Sequence, residues 1–191
     1  MAARRAGEQS LTRNMIMDAS RYLFTEKGYQ YVSMRQIAKE LKCSHGAIYY
    51  HFKNKAELFY ALVSDHFRKL DAKIKEIVGK DMNNTEKLRQ ILLGFIEFGL
   101  THQSHYEIMF MIKDDEVRTF INQGPMKTYA FFARQVASLS ERRLSAREIW
   151  SIFLSLHGFV SHYLKHVLDF NEVKSAAEFH VEMLMKWVSA S

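Results

Sequence analysis

The residues with the most evident chemical use are concentrated between Ser44 and Lys55, where small, aromatic and basic side chains follow one another. Small residues at Gly46 and Ala47 would let the backbone approach the edges of bases, and the neighbouring imidazole and phenol groups can donate hydrogen bonds to phosphates or bases. Lys55 falls at the predicted start of a helix, whose first amides already favour a phosphate. The stretch indicates nucleic-acid recognition. The alternative is a generic helical hairpin whose tyrosines cover the core.

The charge of the chain is distributed unevenly. Its 191 residues include 27 Lys and Arg against 21 Asp and Glu, a formal net charge of +6. Residues 1–55 hold ten basic and four acidic groups, and the rest of the chain holds 17 of each sign, so the whole excess lies in the first 55 residues. Such a segment favours a polyanionic partner, nucleic acid before an anionic membrane, although an ordinary solvated surface is also compatible with it.

The composition predicts an all-helical fold in a reducing compartment. Hydrophobic residues make up 48% of the chain, and there are only 8 Gly and one Pro, too few for the many turns of a sandwich or barrel. The single cysteine, Cys43, cannot form an internal disulfide. No stretch reaches the roughly 20 apolar residues that span a membrane, and the N-terminus lacks the apolar run of a secretory signal. We therefore expect a cytoplasmic protein.

Apolar periodicity and capping residues predict about nine helices and no strand. Residues 1–10 are expected to be a flexible arm, and 114–124 a polar connection. The first helix would begin at the N-cap Thr12 and end at Gly28. The second helix would begin at Ser33, with Gln36 completing a capping box, the third would run from Ser44 to about Tyr50, and the fourth from Asn54 to about Val78. The next three are expected from Asn84 or Thr85 to about His102, near 105–112, and from Pro125 to about Leu139. The last two are expected over 145–167 and 176–189, with the capping boxes Ser145–Glu148 and Ser175–Glu178.

The second and third helices form a helix-turn-helix, because only a very short turn joins them inside the basic region. In that arrangement one helix braces against the sugar-phosphate backbone and the next enters the major groove. Ile48 is expected to face the core. The residues then placed on or near the outer face are His45, Gly46, Ala47, Tyr49 and Tyr50.

The same segment resembles the DNA-binding domain of the TetR family of bacterial transcription regulators. The resemblance rests on LFTEKGY at 23–29, VSMRQIAKEL at 32–41 and SHGAIYYHFKNKAEL at 44–58. It implies an all-helical homodimer in which residues 1–56 form a three-helix DNA-binding domain. Residues 57–191 would then form a larger domain that binds a small effector and dimerises. Two-fold symmetry would match a palindromic operator.

The resemblance also implies roles for individual residues. Ser33 and Arg35 would contact the DNA backbone from the start of the second helix. Ser44 would begin the reading helix. Base edges would be met by His45, Gly46, Ala47 and Tyr50, and phosphates by Tyr49, His51 and Lys55. Cys43 stands where the family usually has a small aliphatic residue, and we interpret it as packing, with a thiol switch as the alternative.

The C-terminal part is rich in aromatic residues and methionine, which could line an apolar cavity for a hydrophobic effector. The alternative is that these side chains simply fill the core. The candidate lining residues are Phe95, Phe98, Met109, Phe110, Tyr129, Phe132, Phe153 and His157.

The last two helices carry more apolar surface than one pair of helices needs. By resemblance they would form a four-helix dimer interface with the partner through Trp150, Leu154, Leu164, Met183, Leu184 and Trp187. His162 and His166 have the i, i+4 spacing of metal ligands, but neither His157 nor His180 is an obvious third ligand. We therefore predict no metal and no cofactor.

These observations predict a transcriptional repressor that a small hydrophobic effector releases from DNA by changing the spacing of its two reading heads. An activator, or a metal sensor acting through His162 and His166, is the alternative. An all-helical enzyme is a remote alternative, since the sequence has no P-loop, no G-x-S-x-G, no H-E-x-x-H and no paired catalytic carboxylates. The prediction is therefore that the protein is not an enzyme.

Overall fold

The computed structural model describes residues 11–112 and 124–189, with side chains in the second range from Tyr129 onward. The predicted arm 1–10 and residues 114–123 of the predicted connection 114–124 lie outside these residues, and Gly124 begins a helix. Within the described ranges the chain forms nine α-helices and no strand, as the composition predicted. The helices are α1 Arg13–Lys27, α2 Met34–Glu40, α3 His45–His51, α4 Lys55–Gly79, α5 Asn84–Thr101, α6 Gln103–Tyr106, α7 Gly124–Leu139, α8 Ala146–Tyr163 and α9 Lys174–Ser189.

Side-chain caps fix the N-termini of the first helices. The Thr12 hydroxyl accepts from the amide of Met15, and Ser44 accepts from Ala47. Ser33 and Gln36 form the predicted capping box. Gly28, at φ 85°, ends α1 in a conformation that favours glycine. These starts and stops are local interactions, which is why the sequence predicted them.

Two predictions at the C-terminal end are wrong. The helix α8 stops at Tyr163 rather than near residue 167, because Lys165 adopts a left-handed φ of 63°. The helix α9 begins at Lys174, directly after a 3-10 turn at Phe170–Val173, so Ser175 lies inside the helix instead of capping it. The observed cap of this region is Asp169, whose carboxylate accepts from the amide of Asn171.

The helices α1–α3 close around a small apolar core that includes the first turns of α4. Phe59 of α4 lies 5.5 Å from Phe24 and 4.9 Å from Tyr29 between ring centroids. Ile48, the inward residue of α3, is fully buried, as predicted. We call this unit, residues 11–62, the head. Its packing fixes how α3 is presented to the outside.

The rest of the chain, which we call the body, is organised around α5, which contacts α4, α7, α8 and α9. A five-residue π-helical turn, Glu107–Met111, continues α6. Gly99 on α5 permits the tightest contact, because a Cβ there would lie 2.6 Å from Cγ1 of Val160 and 2.9 Å from Cδ2 of Tyr106. No helix in the described part of the chain is long and apolar enough to cross a membrane.

Candidate nucleic-acid interface and effector core

The outer face of α3 is open. Tyr50 is 87% exposed and Tyr49 43% exposed, and no heavy atom comes within 4 Å of a Cβ built on Gly46. His45 is exposed and Ala47 half-buried. The helix therefore presents the predicted mixture of small, imidazole and phenol groups on the side opposite Ile48.

An open cleft of about 640 Å³ lies beside α3, between the Tyr29–Tyr31 turn and the starts of α2 and α4. It brings together five of the residues predicted from the sequence: Ser33, Arg35, His45, Tyr49 and Lys55. It also contains Gln30, Tyr31 and Asn54, which sequence reasoning missed. Tyr31 is 74% exposed. Tyr31 was missed because the sequence analysis did not predict the 3-10 turn Tyr29–Tyr31, which places this tyrosine at the rim of the cleft.

Both cap serines retain a free hydroxyl hydrogen. The hydroxyl oxygens of Ser33 and Ser44 accept backbone amides at 3.3 and 3.2 Å, so each hydroxyl hydrogen is free to point outward. These are the hydrogen bonds that a phosphate oxygen accepts. For Ser33, the cap and the predicted contact with the DNA backbone therefore use the same side chain without conflict.

Two predicted phosphate ligands have partners inside the protein. Nζ of Lys55 donates to the carbonyl oxygen of Tyr29 at 2.9 Å and lies 4.0 Å from the centroid of its ring. Nε2 of His51 lies 3.0 Å from the carbonyl oxygen of Leu11, so this nitrogen carries the proton and donates it. Both side chains therefore connect separate segments of the head in addition to lying near its surface.

Cys43 is half-buried in the turn between α2 and α3, packed against the core. Burial raises the pKa of its thiol, which keeps the group protonated and unreactive. This environment agrees with the interpretation of Cys43 as a packing residue.

The predicted effector cavity is closed in this structure. Five of the eight candidate residues do meet around one point, together with Phe67 and Leu70: Phe95, Phe110, Tyr129, Phe132 and Phe153. The void between them is only about 10 Å³, room for one water molecule at most. The rings fill it by edge-to-face and tilted contacts, as between Phe95 and Phe153 at 5.6 Å. We call these seven residues the aromatic core.

The other three candidates lie elsewhere. Phe98 lines an outer cleft of about 810 Å³ between α4 and α5, and Met109 is buried without lining the void. His157 borders the aromatic core through Phe110 and Phe153. Its Nδ1 lies 2.5 Å from the hydroxyl of Tyr106. Burial raises the pKa of Tyr106 and lowers that of His157, so the phenol donates to a neutral imidazole.

The i, i+4 placement of His162 and His166 on one helix face is wrong, because α8 ends at Tyr163. Their ring centroids are 6.3 Å apart, and Nδ1 of His166 faces the carbonyl oxygen of Leu164 at 3.0 Å. Among the residues that the structure describes, no group of three or more His, Cys, Asp or Glu side chains could hold a metal ion.

The last two helices expose an apolar strip. Its members are Trp150, Leu154, Phe179, Met183 and Trp187, each between 42% and 67% exposed. Two residues assigned to this surface from the sequence are placed differently: Leu164 is buried and Leu184 is half-buried against the core. Phe179 was not named from the sequence, although it lies four residues before Met183 and therefore on the same helix face.

Comparison with known proteins agrees with this geometry. Residues 16–62 match the model of the bacterial regulatory proteins of the tetR family. The regulator AcrR of Shigella flexneri is 30% identical over 115 residues, which cover 59% of this chain and 53% of that protein. The repressor KstR2 of Mycobacterium tuberculosis H37Rv is 24% identical over 164 residues, covering 86% and 74%. The chain thus spans about half the length of curated relatives such as AcrR.

Solved structures share the whole fold. The regulator FadR of Bacillus subtilis, crystallised with stearoyl-CoA, superposes with a TM-score of 0.74 at 17% identity, covering 94% of this chain and 98% of that one. The fold and the surface of the head have the arrangement of a helix-turn-helix unit followed by a helical C-terminal part. Over residues 16–62 the chain matches the TetR family of bacterial transcription regulators.

Proposed function

We propose that the protein is a transcriptional repressor that binds operator DNA as a homodimer and is released by a small hydrophobic effector. The observation that carries this proposal is the exposed face of α3 beside the 640 Å³ cleft, within the segment that holds the whole excess of positive charge. The similarity to AcrR, a transcriptional regulator, and to KstR2, a transcriptional repressor, supports it.

In this proposal the head divides its contacts between backbone and bases. Ser33, Arg35, Tyr49, His51 and Lys55 hold phosphates from the cleft and its borders, which fixes the register on the duplex. Ser44 begins the reading helix, and its neighbours His45, Gly46, Ala47 and Tyr50 face the major groove. Because the partner is operator DNA, the proposed location is the cytoplasm.

The proposed occupant of the apolar strip is a second copy of the chain. Large apolar side chains at 42% to 67% exposure on two neighbouring helices are costly to leave in water. A two-fold axis across the strip pairs α8 and α9 with their copies in a four-helix interface. The same axis presents two α3 helices to half-sites about one turn of DNA apart. The division into a DNA-binding and an effector-binding domain is part of this proposal, with α4 shared by both.

The proposed effector site is the aromatic core, which must open to admit a ligand. With a void of about 10 Å³, binding selects a minor conformation in which rings such as Phe110 and Phe153 have moved. An apolar ligand fits this lining, and FadR of Bacillus subtilis, a protein of this fold, was crystallised with the acyl-CoA stearoyl-CoA. Opening the core displaces α4, and α4 also belongs to the head.

The proposal is tested with a fluorescent duplex from the region upstream of the gene, titrated at several salt concentrations. We expect two chains per duplex and an affinity that falls steeply with salt, because each phosphate contact releases counterions. A matched titration of Arg35→Ala should weaken all duplexes alike. Salt-independent binding, or no binding at about 50 mM salt, overturns the proposal.

A further inference from the structure

A stack of three histidines lies in the body where α1 of the head packs against α4 and α6. His66 of α4 lies parallel to His105 of α6, with ring centroids 4.0 Å apart, and His105 lies 5.1 Å from His102 at the cap of α6. His66 is fully buried, whereas histidine as a residue type is only intermediate in burial. The parallel rings aim their lone pairs in separate planes, so they cannot converge on one metal ion.

Arg21 of the head reaches this stack from α1. Its Nε donates to Nε2 of His66 at 3.1 Å, while its Nη2 is held by the carboxylate of Asp18 at 2.6 Å. An imidazole that accepts at Nε2 carries its hydrogen on Nδ1 and is neutral. Protonated His66 would instead turn an N–H toward the guanidinium, replacing a hydrogen bond by two facing donors and two adjacent positive charges.

The surroundings add to this preference for the neutral form. Burial, followed by the charge of His105 and of Arg21, lowers the pKa of His66 to about 2. Burial and the charge of Arg21 lower the pKa of His105 to about 4. Neither Nδ1 atom has a hydrogen-bond partner among the described residues. The charged and titratable groups around the stack are Arg21 from α1, Asp65 and Lys69 from α4, and His102 and His105 from α6 and its cap.

We propose that the contact between Arg21 and the His66–His105 stack is a proton-sensitive latch that holds α1 of the head against α4 and α6, and that protonation releases it. The inference rests on the proposed function, in which the ligand-free protein is the form that binds DNA. Released imidazoles recover a pKa near 6.5, above their values in the latched state. Latching therefore contributes stability fully above about pH 6.5 and progressively less as the pH falls below it.

The expected size of the pH effect on the latch equilibrium follows from the number of protons taken up on release. At about pH 5.5 an imidazole with a pKa of about 6.5 favours the released state by about tenfold, and at about pH 7.5 by almost nothing. With His66 and His105 both contributing, the latch equilibrium shifts by up to about 100-fold between these pH values. Variants of His66 isolate the contribution of the stack from that of the other ionisable groups.

The test compares the wild type with His66→Gln, which offers an amide oxygen near the position of Nε2 but cannot be protonated. His162→Phe, which removes an exposed histidine outside the stack, is the matched control. The first measurement needs no DNA: the unfolding equilibrium constant at about pH 7.5 and 5.5, at one protein concentration. From the higher to the lower pH, we expect the unfolding equilibrium constant of the wild type and of the control to rise about tenfold more than that of His66→Gln.

The second measurement is operator affinity at the same two pH values and fixed ionic strength. We expect acid to weaken the wild type and the control relative to His66→Gln by up to about tenfold. Equal pH dependence of all three proteins in either measurement overturns the latch. Absence of operator binding by every protein at the higher pH instead overturns the proposed function, and the DNA-free measurement still decides whether the stack is proton-linked. If His66→Gln does not fold, His105→Phe, which keeps a ring in the stack, takes its place in both measurements.

Discussion

Lys55 at the start of α4 contacts Tyr29, which lies in the 3-10 turn between α1 and α2. Its Nζ is 2.9 Å from the carbonyl oxygen of Tyr29 and 4.0 Å from the centroid of the tyrosine ring. The two contacts tie the first turn of α4 to the turn that precedes α2. These elements are two walls of the cleft beside α3. The lysine therefore contributes to the shape of the cleft as well as to its charge.

Replacing this lysine should affect both stability and DNA binding. Lys55→Ala removes a hydrogen bond and a cation–π contact, which together contribute about 1–2 kcal/mol to the free energy of unfolding. The substitution should weaken binding to all duplexes alike. It should also reduce the magnitude of the slope of log affinity against log salt concentration by about 1. Lys53→Ala, which removes an exposed lysine two residues away, is the control for charge alone. Equal effects of the two substitutions would contradict the structural role of Lys55.

Substitutions on the outer face of α3 should change which sequence is preferred. His45→Ala removes a group expected at a base edge, so discrimination at one position of each half-site should drop by about 1–3 kcal/mol. Arg35→Ala should instead lower the affinity for specific and unrelated duplexes by the same factor. A panel of operator duplexes with single base changes measures both. If His45→Ala instead lowered the affinity for all duplexes equally, His45 would contact the sugar-phosphate backbone of the DNA and not a base.

Gly99 should not tolerate a side chain. In Gly99→Ala the new Cβ would meet Val160 at 2.6 Å and Tyr106 at 2.9 Å, and both neighbours are fully buried. Overpacking of this kind costs about 1–3 kcal/mol, measured by denaturant unfolding. Gly46→Ala, where no heavy atom lies within 4 Å, should change the stability by less than about 1 kcal/mol. Equal stability of the two variants would mean that the contact relaxes without strain.

Truncating one ring should open the aromatic core. Phe153→Ala removes a ring that contacts Phe95, Phe110 and Phe132, at a cost of about 3–5 kcal/mol. An apolar cavity of this type stays dry and binds small aromatic molecules, so benzene should raise the melting temperature of the variant. Tyr22→Ala, which truncates an exposed ring on α1, should show neither effect. No response of Phe153→Ala to benzene would mean that the core collapses around the lost ring.

The sequence predicted those parts of the fold that depend on neighbours along the chain. The caps at Thr12, Ser33 and Ser44 and the inward position of Ile48 follow from local spacing and local contacts. The end of α8 was missed because Lys165 adopts a positive φ without being glycine or asparagine. A second anchor there, Gln103, accepts from the amide of Lys165 and donates to the carbonyl oxygen of Val167, both distant along the chain.

The sites depend on distant packing and were predicted less completely. Sequence reasoning named five rings of the aromatic core, yet whether rings enclose a cavity or fill it depends on how helices far apart in sequence approach one another. The histidine stack joins positions 66 and 105 and was not predicted. One signal was available: His66 occupies an inward position of α4, between the buried residues Val63 and Phe67.

In the proposed function, α3 and its cleft bind duplex DNA in a two-subunit complex. The most direct measurement is the molecular mass of the protein with an operator duplex, combined with affinities between about 50 and 200 mM salt. Two chains per duplex and an affinity that falls by about 10³-fold or more over that range are expected for several phosphate contacts. A single chain per duplex, or an affinity that does not change with salt, would contradict the claim.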